Sequence, residues 1–231
     1  MTIYFSCEDF GSDAVTAEGV IFDCDGLLVN SESVWLTMLT QWGAEHGLGK
    51  LDISTFTGLS AKDTAYRLYE GLRSKDAHTM AYEDILLDIN TRYSSLLQGH
   101  LEPMPGALEC VNAVAEHVPV AVASNGRVDD VRLMLDNLGI FSILSGLYTI
   151  DDVARGKPAP DLYSTAARGL GLSAEYCVAF EDSLAGARAA SEAGLLVIGV
   201  SDSHDMNIVC DYRTDRLDLI TIQGMPCPLK R

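Results

Sequence analysis

Val20-Ile-Phe-Asp-Cys-Asp-Gly26 is three apolar residues, two aspartates around a cysteine, and a glycine. A short apolar run that ends in polar residues reads as a buried strand with carboxylates at its exit. In extended backbone, positions i and i+2 point the same way, so Asp23 and Asp25 face one ligand. The same four residues also suit a plain turn before Gly26, because Asp-x-Asp-Gly is common in turns. Three further segments follow in order: Val122-Ala-Ser-Asn-Gly126, Gly156-Lys-Pro158 and Ala179-Phe-Glu-Asp-Ser183. Each follows or adjoins an apolar run, which places it at the carboxyl edge of a sheet.

Outward from these segments, the chain changes period. Trp35, Met38, Leu39 and Trp42 repeat at helical spacing; so do Ala65, Leu68, Tyr69 and Leu72, then Tyr82, Ile85, Leu86 and Ile89. Residues 34–99 therefore read as a small helical bundle, and Pro103-Met-Pro-Gly106 punctuates the return. Beyond it, strands at 118–123, 177–180 and 195–200 alternate with helices at 108–115, around 131–138, at 162–170 and at 184–193. That order predicts an α/β fold: a Rossmann-like doubly wound parallel sheet with an inserted small helical-bundle cap domain. The expected domains are a core from 18–33 and 100–231, a cap from 34–99, and an N-terminal extension over 1–17. The extension lacks periodicity and is expected to be loosely ordered, while residues 201–231 either pack on the core or trail. Ligands of open α/β sheets bind outside the carboxyl ends of the strands, so a cap inserted there would close over the site and exclude water.

Each segment has an ordinary use beside a chemical one. Glu181 and Asp182 end a strand just before a helix, where Asp182 or Ser183 suits the N-cap. Ser124 and Asn125 precede Gly126, an Asn-Gly turn signal, yet a hydroxyl and free backbone N–H groups there can hold phosphate oxygens. An isolated lysine such as Lys157 is ordinarily solvated surface; its function follows from the acids it accompanies. Close carboxylate pairs cost about 4 kcal/mol each at an effective dielectric near 20, so such a cluster requires a cation. Hard oxygen ligands favour Mg2+, and no His/Cys set argues for zinc.

Composition narrows the partners. A formal charge of −17 over 231 residues, without a Lys/Arg cluster, argues against nucleic acid but allows a small anion held by a local cation. No apolar run reaches the roughly 18 residues of a membrane span, and no signal peptide is evident. Six cysteines without a CxxC read as reduced thiols, which points to the cytoplasm. The expected assembly is a monomer or weak homodimer.

The four segments resemble the motifs of the haloacid-dehalogenase-like phosphohydrolase superfamily, in the helical-cap subgroup of sugar-phosphate phosphatases and β-phosphoglucomutase. The resemblance runs from about Gly19 to Val200. It implies that Asp23 attacks phosphorus to form an aspartyl-phosphate, while Asp25 serves as acid and then base. It further implies that Ser124 bonds the phosphoryl group, Lys157 bridges it to Asp23, and Asn125 lies with the substrate. Asp182 would ligate Mg2+ with Asp23 and the Asp25 carbonyl, with Glu181 bound directly or one layer out.

Departures from the pattern refine this. Asp25 is the second aspartate that dehalogenases of this fold lack. A mutase carries histidine where Trp35 stands, and an arginine where Thr57-Gly-Leu-Ser-Ala61 ends in alanine, with Lys62 following. Asn30-Ser-Glu32 replaces a common Asp-Ser-Glu. Glu32, Ser60 and Lys62 are cap candidates for substrate contact, and equally ordinary cap surface. The expected activity is Mg2+-dependent hydrolysis of a small phosphorylated metabolite, a sugar or polyol phosphate. The alternatives are a phosphomutase and a catalytically weak phosphometabolite-binding protein.

Overall fold

The computed structural model describes residues 2–11, 13–56, 59–75, 80–99, 101–202 and 208–225. Contacts group the chain into two units, Met1–Asn30 with Leu101–Arg231, and Ser31–His100.

The first unit holds two sheets. β1 (Thr2–Ser6) and β2 (Val15–Ala17) belong to the smaller one, β3 (Gly19–Phe22) to the larger. The larger continues with β4 (Val120–Ala123), β5 (Gly146–Tyr148), β6 (Cys177–Glu181), β7 (Leu196–Val200) and β8 (Tyr212–Thr214). Its order is β5-β4-β3-β6-β7-β8, and every pairing is parallel. β3, β4 and β6 are buried at every residue, as continuous apolar runs must be when both faces of a parallel sheet are covered. The helices of this unit are α4 (Ala107–Ala115), α5 (Val128–Asn137), α6 (Asp161–Gly169) and α7 (Leu184–Glu192). Alanines make the approach of α6 and α7 close: Ala166, Ala167, Ala187 and Ala190 share one core with Ile21, Ala121, Ala179 and Val197.

The opposite side of β6 meets the smaller sheet. Its order is β2-β1-β9, antiparallel throughout, with β9 at Thr221–Met225. Phe5 of β1 packs edge-on against Phe180 at 5.3 Å, and Phe180 stacks on Phe22 at 5.0 Å. The expectation of a loosely ordered N-terminal lead is corrected here. Ile3 and Phe5 are fully buried, and the pairing that orders them is made across the whole chain, Thr2 with Met225. The part of the C-terminal segment described up to Met225 packs on the core; residues 203–207 and 226–231 lie outside the described residues.

The second unit is built from α1 (Ser31–Glu45), α2 (Ala61–Arg73) and α3 (Tyr82–Leu96). Met38, Leu39, Trp42, Leu68, Leu72, Ile85 and Ile89 form its core. The Trp42 indole N–H donates to Asp88 Oδ2 at 2.8 Å, which satisfies its one polar atom.

Candidate active site

The winding of the large sheet reverses at β3. β4 and β5 lie to one side, β6, β7 and β8 to the other. A crevice forms outside the strand ends at such a reversal. Asp23 is the first residue beyond β3, and Glu181 is the last of β6. Because Phe22 is in register with Phe180, the two acids leave the sheet side by side, with Asp23 N donating to Phe180 O at 3.0 Å.

Lys157, on the loop between β5 and α6, reaches both. Its Nζ donates to Asp23 Oδ1 and to Glu181 Oε1 at 2.6 Å each, and its side chain is only 4% exposed. The Asn125 amide grips that loop: Oδ1 accepts from Lys157 N at 2.8 Å, and Nδ2 donates to Lys157 O at 3.1 Å. Asn125 was expected to lie with substrate; the contacts it makes here hold the lysine loop. Ser124 is buried; its hydroxyl donates to Asp25 Oδ2 at 3.0 Å and accepts from Gly126 N at 2.8 Å.

Glu181 is saturated. Oε1 also accepts from the Tyr163 hydroxyl at 2.6 Å, while Oε2 accepts from Ser183 N at 3.3 Å and Ser183 Oγ at 3.0 Å. The carboxylate fits because residue 186 is glycine; a Cβ there would overlap both of its oxygens. Asp182 is the opposite case. Its Oδ1 is buried and has no hydrogen-bond partner among the described residues. It lies over Gly26, whose φ of 84° and lack of Cβ both matter, since a Cβ would overlap Asp182 Oδ2.

Asp23, Glu181 and Asp182 each offer an oxygen within 4.8 Å of the others. One ammonium does not balance three carboxylates. Burial, then Glu181, push the Asp23 carboxyl up to about 7 against the pull of Lys157. Burial, then Asp23 and Glu181, push Asp182 up to about 9. Burial alone would depress the Lys157 ammonium, but Asp23 and Glu181 hold it above its usual value. An orphaned carboxylate oxygen among hard donors fits a divalent cation such as Mg2+. Asp23 and Asp182 have capacity to hold it, whereas all hydrogen-bonding capacity of Glu181 is spent on protein donors.

Glu32, Ser60 and Lys62 belong to the helical unit and are exposed. Ser60 caps α2, accepting from Asp63 N at 3.2 Å and donating to Asp63 Oδ2 at 2.6 Å. Thr57 and Gly58 lie outside the described residues. One side chain of the site went unread in the sequence. Tyr163 falls on the buried stripe of α6, and a buried tyrosine needs a partner for its hydroxyl, the one signal available. Ser183 both caps α7, accepting from Gly186 N at 3.0 Å, and bonds Glu181.

A family model described as haloacid dehalogenase-like hydrolase matches residues 20–200. The chain belongs to this family. Among its relatives, a validoxylamine A 7'-phosphate phosphatase of Streptomyces hygroscopicus subsp. limoneus is 29% identical, over 88% of this chain and 94% of that protein. Hexitol phosphatase A of Escherichia coli (strain K12) is 28% identical, over 90% and 95%. The crystal structure of CbbY from Rhodobacter sphaeroides in complex with phosphate superposes with a TM-score of 0.73 at 25% identity, covering 87% of this chain and 95% of that one. The matched span of this haloacid dehalogenase-like hydrolase includes every side chain of the acidic cluster, but neither β1 nor β9.

Proposed function

We propose that the chain is a Mg2+-dependent phosphatase of a small sugar or polyol phosphate, working through an aspartyl-phosphate on Asp23 in the cytoplasm. That it is a phosphoric monoester hydrolase rests on family membership together with the site. One observation carries the rest: a buried lysine 2.6 Å from Asp23, beside a carboxylate with an orphaned oxygen. Relatives named as a validoxylamine A 7'-phosphate phosphatase and a hexitol phosphatase support the substrate class.

Asp23 attacks phosphorus, and the bond from phosphorus to the leaving oxygen breaks. Asp25 gives that oxygen a proton and departs from it as a carboxylate. Asp25 then takes a proton from water as the water attacks the phosphorylated Asp23, which releases inorganic phosphate and restores both acids. Lys157 donates to a phosphoryl oxygen while keeping its contact with Asp23, and the Ser124 hydroxyl turns its one hydrogen from Asp25 to another. Asp23, Asp182 and the Asp25 carbonyl would hold the divalent cation, which neutralises charge on the nucleophile and the transferring group when bound. Trp35 supports hydrolysis over mutase chemistry, because its ring packs edge-on against Tyr93 at 5.1 Å and carries no group that shuttles protons.

Incubation of the chain with Mg2+ and a panel of phosphorylated sugars and polyols tests this, read as inorganic phosphate released. At least one member is hydrolysed, and chelation of the metal stops it. No release from any member, nor from p-nitrophenyl phosphate, overturns the proposal.

A further inference from the structure

We propose that Tyr163 is a positioning residue for Lys157, acting through Glu181; the inference rests on the phosphatase function above. Tyr163 lies on α6, fully buried, and meets the lysine once directly, through its ring, and once through a shared oxygen of Glu181. Its hydroxyl donates at 2.6 Å to Glu181 Oε1, the same oxygen that accepts from Lys157 Nζ. Its ring lies under the ammonium, with Nζ 5.0 Å from the ring centroid.

An oxygen that accepts two hydrogen bonds holds each less tightly than it would hold one. The tyrosine hydroxyl therefore limits the pull of Glu181 on Lys157, and Nζ remains shared with Asp23 instead of sinking onto Glu181. With Ser183 filling Oε2, the same bond prevents Glu181 from rotating toward Asp182 and the cation. Nothing else among the described residues bonds the Tyr163 hydroxyl, which is committed to this one contact. The consequence falls on the step in which Lys157 meets developing charge, and placement errors of an ångström are costly there.

The test uses the full chain with Mg2+ and p-nitrophenyl phosphate. Tyr163→Phe removes one oxygen and keeps the ring, so kcat is expected to fall about tenfold while KM stays within about twofold. The Kd for Mn2+, measured calorimetrically on metal-free protein, is expected to stay within about twofold, because Asp23 and Asp182 are untouched. Glu181→Gln lowers kcat further, and in the double variant the two losses are less than additive, since both act through one oxygen. A Tyr163→Phe kcat within twofold of wild type overturns the inference, as do fully additive losses. So does a Mn2+ Kd that rises in parallel with the lost rate, or a melting temperature so lowered that kcat recovers on cooling. A wild-type chain silent on every phosphate overturns the phosphatase function, and this inference with it, and is recognised because no substitution is involved.

Discussion

The carboxyl edge of the large sheet and the polar surface of the helical unit use the same residue types under opposite conditions. Lys157 is buried between two carboxylates, whereas Lys62 is exposed and pairs with nothing among the described residues. Ser124 is buried and bridges Asp25 to a backbone N–H; Ser60 is exposed and caps its own helix. A solvated lysine or serine costs the fold almost nothing, so its presence carries little information. A buried charge is expensive unless paired, and a group of three acids around one ammonium is expensive even then. Burial, and not residue type, separates the machinery from the surface.

Substitutions can break that contrast or sharpen it. Asp23→Asn should lower kcat on p-nitrophenyl phosphate by about 10^4 or more, with the fold intact, since it deletes the nucleophile and relieves a crowded charge. Retention of a hundredth of wild-type turnover would put the nucleophile elsewhere. Lys157→Met should cost about 10^3 in kcat and lower stability, because it leaves buried carboxylates without their cation. Lys62→Ala, its exposed counterpart, should change kcat by less than about threefold. Comparable losses at the two lysines would erase the distinction between the regions.

Gly186→Ala is a packing test of the same edge. The new Cβ meets the Glu181 carboxylate, and urea unfolding should register a loss of about 2 kcal/mol. An unchanged midpoint would mean that Glu181 can move away freely.

The acidic cluster should also give metal-free protein an unusual dependence on pH. Asp23 and Asp182 have folded-state values raised to about 7 and about 9, above the usual carboxylate value of 3.8. Between those limits the folded state binds more protons than the unfolded chain, so stability falls as pH rises. Each proton contributes at most about 1.4 kcal/mol per pH unit. Melting temperatures of metal-free protein should therefore decline from pH 5 toward pH 9, and Mg2+ should restore most of the loss at the alkaline end. A flat profile would argue that the acids are not crowded. The smallest effect belongs to the surface: Ser60→Ala should cost about 1 kcal/mol through the lost cap and leave kcat unchanged.

Much of the edge was legible because its strands are apolar runs of four or five residues that end in polar ones. β3, β4, β6 and β7 announce themselves that way, and the acids follow from the strand ends. β5 and β8 have three residues each and form the two edges of the large sheet, too short for a period to register. β1 and β9 pair residues more than two hundred positions apart, which no local window can see. Tyr163 went unread as a hydrogen-bond donor, because its partner Glu181 comes from a strand eighteen residues on. The fourfold use of the Glu181 oxygens was equally hidden, so from sequence its place stayed open between a direct ligand of the cation and one layer out.

The aromatic stack Phe5–Phe180–Phe22 has a further consequence. Phe180 and Phe22 immediately precede Glu181 and Asp23, so the N-terminal strand braces the backbone from which both acids project. A protein cut down to the family-matched span would retain every charged group of the crevice and lose the wall behind it. Its failure, if measured, would be one of rigidity and not of missing chemistry.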